Sequence, residues 1–290
     1  MRTDGTFRTK LVKIKSWPMG KPLQIIPFGD IHHDSPAFSE AKFAEFCNYA
    51  RKQKDAMFLG MGDYFDGYST SERAIIYDGG LHESSRKREE LAAKGRIGKL
   101  AKQIEFMRGR LIGLLGGNHF SCFPDGTTSD QVLAGMLGTT YLGACCGIRL
   151  CIGRKGTESA YATLDIFAHH GKGGGTTAGG KFNSVEKLAN VCDADIYLMG
   201  DNHARGVFPM GDRLKLEGCG KGGLRVGSKT RWIGRTGSFL RAYVENESSY
   251  VVDAAMSPAT LGWIELTVTP KRVKRDGKDC GIELEIGAKQ

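Results

Sequence analysis

A chain of 290 residues, 40% of them hydrophobic, carries apolar material for a substantial core in one large domain or two small ones. Its eight cysteines form no Cys-x-x-Cys pair, which excludes a zinc knuckle or a redox dithiol and favours reduced thiols in a cytoplasm over the disulfides of a secreted protein. The formal charge is +9, and no apolar run approaches a membrane span, so a bilayer is not an expected partner.

In chain order, residues 1–9 show no pattern, and 10–15 (Lys10-Leu11-Val12-Lys13-Ile14-Lys15) alternate as a half-buried strand does. Lys13, Lys15 and Lys21 interrupt any leader-like apolar stretch, so a soluble, non-secreted protein is expected. Pro18-Met19-Gly20-Lys21-Pro22 predicts a turn that hairpins this strand onto an apolar one at 23–28. Ser35-Pro36 then predicts the cap and first turn of a helix that buries Phe38, Phe43, Phe46, Cys47 and Ala50. That helix returns the chain to a strand at 56–61, a βαβ unit whose two strands should be parallel.

The stretch 64–82 is polar and reads as a loop, and 83–108 as a long charged helix weakened by Gly95 and Gly98, leading to a strand at 111–115. Asp125-Gly126-Thr127-Thr128-Ser129-Asp130 predicts a turn and then a helix capped by Thr128 or Ser129, with Val132, Leu133, Met136 and Leu137 apolar. A strand at 147–152 is expected to pair, through a Gly-Arg-Lys-Gly turn, with one at 160–169. The run Gly171-Lys172-Gly173-Gly174-Gly175 lacks the Gly-Lys-Ser/Thr order of a phosphate loop, and reads as a segment that lets backbone approach a site closely. A helix at 184–191 precedes a strand at 195–199. Residues 206–290 change to short strands and turns, expected as a second sheet packed on the first within a single domain spanning 1–290.

The strands share an ending. They run into Gly29-Asp30-Ile31-His32, Gly62-Asp63, Gly116-Gly117-Asn118-His119, His169-His170-Gly171 and Gly200-Asp201-Asn202-His203. One Asp-x-His or one Gly-Asp is ordinary turn chemistry. Five in order, at the carboxyl ends where open α/β sheets collect ligands, point to convergence on metal.

This ordered set resembles the calcineurin-like metallophosphoesterase superfamily, whose pattern is Asp-x-His, Gly-Asp, Gly-Asn-His, a His-Gly after a strand, and Gly-His-x-His. The likeness covers about residues 23 to 205. It implies a four-layered α/β/β/α sandwich of two mixed sheets flanked by helices, with two metal ions. Asp125-Gly126-Thr127-Thr128, the glycine-rich run and Arg235-Thr236-Gly237-Ser238-Phe239 look like phosphoesterases encoded by bacteriophages, which would place the protein in a host cytoplasm.

Carried over by position, the resemblance implies one metal on Asp30, His32 and His203 with Asp63 bridging. The second would take Asp63, Asn118, His170 and Asp201. Carboxylate, amide and imidazole together suit manganese first, then iron, zinc or magnesium, and not thiolate-loving ions. His119 matches the family's catalytic histidine, which faces the leaving-group oxygen. His169 competes with His170, but the following glycine favours His170, and strand alternation turns His169 to the other sheet face. His33 and Asp34 read as supporting or solvated, Asp66 as a support for the Asp63 loop, and His82 as a surface residue.

Two departures stand out. Asp201 occupies the place of the first His of Gly-His-x-His, which adds hardness and disfavours zinc. Phe120 stands where an acid often orients the catalytic imidazole, so another group must hold His119.

The function implied is a metal-dependent phosphodiesterase or nuclease acting on nucleic acid or nucleotides. Alternatives are a phosphomonoesterase or protein phosphatase, for which an Arg at Phe120 is missing, and a non-catalytic scaffold with a degenerate site. Basic clusters in 86–110, 205–241 and 271–278 favour a polyanionic partner; a solvated helix face with loop lysines fits them equally well.

Overall fold

The computed structural model describes residues 6–68, 73, 82–153, 160–171, 175, 177–218, 223–246, 252, 257–275 and 278–289. In chain order its first half holds β1 (Phe7–Ile14), β2 (Leu23–Phe28), α1 (Glu40–Lys52), β3 (Ala56–Gly60), α2 (Glu83–Ile104), β4 (Leu111–Leu114) and α3 (Ser129–Met136). There follow β5 (Cys145–Gly153), β6 (Ala160–His169), α4 (Ala178–Glu186), β7 (Ile196–Met199), β8 (Arg205–Glu217), β9 (Arg225–Thr236), β10 (Glu265–Arg275) and β11 (Lys278–Lys289).

Runs such as Leu-Gln-Ile-Ile-Pro-Phe and Ile-Tyr-Leu-Met are nearly continuous in apolar residues because their strands are covered on both faces. One sheet has the order β11-β10-β2-β3-β4, the other β1-β5-β6-β7-β9-β8. Within them β2, β3 and β4 are parallel, as are β6, β7 and β9, while β10 and β11 join antiparallel.

Alternation along each strand sorts side chains into three apolar layers. Ile25, Leu59 and Ile112 of one sheet meet Ile148, Ile166, Ile196 and Leu198 of the other in a core between the sheets. Ile26, Phe28 and Phe58 point outward onto Phe43, Phe46 and Ala50 of α1, Ile97 and Leu100 of α2, and Leu133 of α3. On the far side, Phe167, Tyr197 and Ile233 pack against Val185 of α4. Two mixed sheets lie face to face between helices, the expected four-layered α/β/β/α arrangement.

Four expectations are corrected. The 10–15 strand makes no hairpin with β2: β1 pairs in parallel with β5 in the other sheet, and the 18–22 turn carries the chain between sheets, anchored by Gly20 N–H to the Pro270 carbonyl at 2.9 Å. Alternation fixed the buried face of β1 but not its neighbour. The first helix begins four residues late, with Ser39 at its N-cap, because Ser35 and Phe38 close a turn (2.9 and 3.0 Å) and Phe38 bridges to Leu240. The helix expected at 184–191 is α4 from Ala178 to Glu186, capped by Thr177, followed by a 3-10 turn. The C-terminal strands form no sheet of their own: β8 and β9 extend one sheet, β10 and β11 the other.

Thr128 caps α3 in a reciprocal capping box with Gln131. Gly95 and Gly98 sit on α2 with open space around them, so the helix tolerates them. The turn joining β5 to β6 and residues 172–174 of the glycine-rich run lie outside the described residues. No described disulfide occurs, and six described cysteines are free. No described helix is long and apolar enough to cross a membrane.

Phe239 follows β9, is fully buried, and packs edge-to-face on Phe43 and tilted against Phe46, at 5.2 and 5.4 Å between ring centroids. Phe239→Ala should lower unfolding free energy by about 3–5 kcal/mol. The expected readout is an earlier urea midpoint with an unchanged slope.

Candidate metal centre

Parallel β2, β3 and β4 end at one edge of their sheet, and β6 and β7 end facing them. All seven expected ligands and His119 come together there. Asp201 N–H donates to both Asp30 carboxylate oxygens at 3.1 Å, and Asn118 and His119 N–H donate to Asp63 Oδ1 at 2.8 and 2.9 Å. His170 Nε2 lies 3.3 Å from Asp63 Oδ2, and the His32 ring is 5.2 Å from His203 and 5.3 Å from His119.

The backbone at these strand ends is strained. Asp30, His32, Asp63, Asp201 and His203 have φ of 45°, 48°, 48°, 66° and 57°, a left-handed conformation that costs side-chain-bearing residues roughly 1–3 kcal/mol each. Only two other described non-glycine residues share it, Tyr243 and Asn246, so the strain is concentrated at the ligands. A kink after each strand swings both members of Asp-x-His, and of Asp-x-His in the 201–203 turn, toward the same point.

The histidines are set as ligands. His170 Nδ1 sits 2.7 Å from the Met61 carbonyl, which only accepts, so Nδ1 carries a hydrogen and Nε2 is the nitrogen left to face the carboxylates. His32 Nδ1 is held by Asp66 Oδ1 at 3.0 Å, again leaving Nε2. Both Nε2 atoms are buried without a hydrogen-bond partner, and so is Asn118 Oδ1, whose Nδ2 donates to Asp201 Oδ1 at 2.7 Å. Buried polar atoms rarely go unsatisfied. Three of them aimed among Asp30, Asp63 and Asp201 fit a site built for cations.

Two ligand groups centre on Asp30, Asp30–His32–His203 and Asp30–Asp63–His170, and a third set is His32–Asp66–His119; in each the donor atoms lie within 4.8 Å of one another. Asp63 Oδ2 lies between the two orphaned imidazole nitrogens, 3.9 Å from His32 and 3.3 Å from His170, as a bridging role requires. Asp201 Oδ1 is 3.8 Å from His170 Nε2, on the second group's side. Asp30 belongs to both groups, which sequence pattern did not indicate.

The electrostatics fit the same picture. Burial pushes the Asp30 carboxyl up to about 7, with Asp63 and Asp201 adding to the rise against His170 and His32. Asp63 is also opposed by burial, yet His170 and His32 hold it well below the usual carboxylate range. Burial pushes His203 down to about 3, with His32 adding to the fall, so it stays neutral and able to ligate. His170 is driven down by burial, but Asp63, Asp30 and Asp201 outweigh that and raise it to about 10.

Other residues build the frame. Asp66 orients His32 instead of only bracing the Asp63 loop; its N–H donates to Asp34 Oδ1 at 2.6 Å, and Arg96 of α2 holds Asp34 Oδ2 at 2.9 Å. His33 turns away onto Gln103, Phe38 and Phe43. His169 also faces elsewhere, its Nδ1 accepting Gly171 N–H at 2.8 Å, and exposed His82 accepts from Ser84 N–H as the N-cap of α2. The group that replaces an acid beside His119 is the Gly67 carbonyl, 3.2 Å from Nδ1, with Asp66 at 3.8 Å.

Four contributors escaped sequence reasoning. Arg73 is buried, stacks 3.7 Å from the Phe120 ring centroid, and donates to the Tyr68, Asn118 and Phe120 carbonyls. Asp130 accepts Gly117 N–H at 2.9 Å, and burial pushes its carboxyl up to about 7. Fully buried Arg235 ties the Gly200 carbonyl to Lys181 O and Ser184 Oγ of α4, and Ser238 Oγ donates to the Asp30 carbonyl at 2.9 Å. A lone Arg in a polar stretch carries no local signal; Ser238 and Arg235 lay inside a quoted segment whose role only packing reveals.

Compared with known proteins, the chain matches no family model and no curated protein. Among solved structures it is similar to Vps29 of Chaetomium thermophilum, at 11% identity and a TM-score of 0.30, over 92% of this chain and 97% of that one. Likeness at that level assigns neither family nor activity.

At Gly117 an added Cβ would lie 2.0 Å from Asp63 Oδ1 and 2.2 Å from Asp63 N. Gly117→Ala should therefore abolish tight metal binding, measured by elemental analysis after dialysis, while Gly95→Ala in the open face of α2 should keep the metal and gain about 1 kcal/mol of stability.

Because folding raises His170 from 6.5 to about 10, its contribution to the stability of metal-free protein is complete below the lower value and disappears as pH climbs through the upper one. A cation on Nε2 must displace that proton. Metal uptake should release protons and tighten from pH 6.5 upward, measured by calorimetry in buffers of different ionisation enthalpy.

Proposed function

We propose that this chain is a metal-dependent phosphoesterase that hydrolyses phosphodiesters in nucleic acid or nucleotides. The observation that supports it most is the pair of adjoining Asp/His groups with three buried, partnerless ligand atoms. Asp30, His32, His203 and Asp63 would hold one divalent cation, and Asp63, Asn118, His170 and Asp201 the other. Carboxylate and imidazole donors without thiolate suit manganese first, with iron, zinc or magnesium also compatible. Such ions supply a hydroxide at neutral pH and charge stabilisation for phosphate oxygens.

The chain's own part is positioning and proton transfer. His119 is a quarter exposed while the ligands around it are buried, so it can meet a substrate at the mouth of the site. With Nδ1–H on the Gly67 carbonyl, Nε2 is left to carry a proton to a departing oxygen. A diester's alkoxide leaving group gains most from that proton. Arg73, the guanidinium beside Phe120, commits its Nη1 to three backbone carbonyls of the frame, so that end of it is not turned to a monoester dianion. This favours diester over monoester chemistry.

The test is a panel of bis-p-nitrophenyl phosphate, p-nitrophenyl phosphate, cyclic nucleotide, DNA and RNA with manganese. Diesters should turn over faster than the monoester. His119→Ala should lower diester turnover by about 10²–10⁴ with metal retained, and Asp63→Asn should lose metal and activity together. Fewer than one bound metal per chain, with no ester cleaved on added manganese, would overturn the proposal.

A further inference from the structure

We infer that an open groove on the α4 face of the β6–β7–β9–β8 sheet is a second contact site for the phosphate backbone of a nucleic-acid strand, apart from the metal centre. The ligand's identity rests on the phosphodiesterase reading; the groove does not. It encloses about 610 Å³ and is lined by Asn183, Glu186, Lys187, Asn190, Arg213 and Arg231. Three cations face one carboxylate, in a chain whose net charge is already +9.

Arg231 supplies the second observation. Its Nε has no hydrogen-bond partner within the fold and is itself too enclosed to meet a ligand, so what half-buried Arg231 offers the groove is the charge of a guanidinium that the fold leaves partly unsatisfied. Arg213 is held by Asp193 at 2.8 Å, but both side chains are more than half exposed, and such a pair contributes little and exchanges readily for a phosphate. Asn183, Asn190 and Lys187 add neutral donors and a third charge, the mixture that positions a backbone without reading bases.

The groove is connected to the metal centre by Arg235, which joins the Gly200 carbonyl to Lys181 and Ser184 on α4, the helix that also carries Asn183 and Glu186 of the groove lining. Along β9, Arg231 precedes Arg235 by four residues, about 13 Å at ~3.3 Å per residue, so the groove lies further back along the strand than the frame of the metal centre. The basic stretch of 205–241 thereby divides: Arg235 is structural, and Arg213 and Arg231 meet the ligand.

Binding of fluorescein-labelled oligonucleotides of 2 to 12 nucleotides is measured by anisotropy in EDTA, which prevents turnover, across a salt series. Affinity of the wild-type chain should rise with oligonucleotide length. Arg213→Ala/Arg231→Ala should bind long oligonucleotides at least 10-fold more weakly, lose the length dependence, and lower the salt slope by about 1.4, the value for two phosphate contacts on a single strand. Arg213→Lys/Arg231→Lys should restore most of the slope, and thermal unfolding confirms that each variant is folded.

Unchanged affinity and slope in the folded alanine variant overturn the groove, even if the wild type cleaves small diesters. Equal displacement of the strand by polyglutamate overturns it too, as a general polyanion surface. Conversely, oligonucleotide binding that depends on both arginines in a protein that cleaves no ester leaves the groove standing and sinks the phosphodiesterase reading.

Discussion

The Asp63 carboxylate is the contact on which the rest of this structure turns. Its Oδ1 accepts the N–H groups of Asn118 and His119, fixing the end of β4 to the end of β3. Its Oδ2 reaches His170 from the opposite sheet. One side chain thus locks two strand ends of one sheet together and joins them to the other. Gly117 and Gly62 are required beside it because any side chain there would occupy the space of Asp63 or the His170 ring. The two glycines belong to the geometry of the carboxylate as much as to the turns they stand in.

A site of this kind is unfavourable in isolation. Several buried carboxylates repel one another, three ligand atoms lack hydrogen bonds, and five ligand residues hold left-handed backbone conformations. The surrounding frame over-determines it. Asp66 and the Met61 carbonyl hold two imidazoles, Ser238 and Phe239 N–H hold the Asp30 carbonyl, and Arg235 holds the peptide before Asp201. Cations at the centre would relieve the repulsion and satisfy the orphaned atoms together, which is why folding strain and metal affinity are linked here.

The two departures from the family pattern acquire a physical meaning. Asp201 is no isolated extra charge, because it takes the Asn118 amide N–H and so turns Asn118 Oδ1 inward as a ligand. Phe120 is no gap in the machinery either. Its ring carries the Arg73 guanidinium, which braces the carbonyls around Asn118 and His119 while Gly67 orients the His119 ring. The surface extends the same logic outward, since α4 and β9 carry the frame of the centre directly into a basic groove.

Much of this architecture was legible in residues alone. β2, β3, β4 and β7 are short apolar runs with a chemical group at each end, and together with the end of β6 their order in the chain singled out the candidate ligands, because a strand and its terminal turn are encoded within a few consecutive residues. The partner of β1, the division of the last four strands between sheets, and the late start of α1 were not legible, since alternation specifies a buried face but not which strand lies beside it. The roles of Asp66, Arg73, Asp130 and Arg235 share that cause: each acts through a backbone carbonyl, amide or imidazole far away in sequence. Local sequence determined which atoms could ligate; only the packing of two sheets decided which of them share a point in space, and what holds them there.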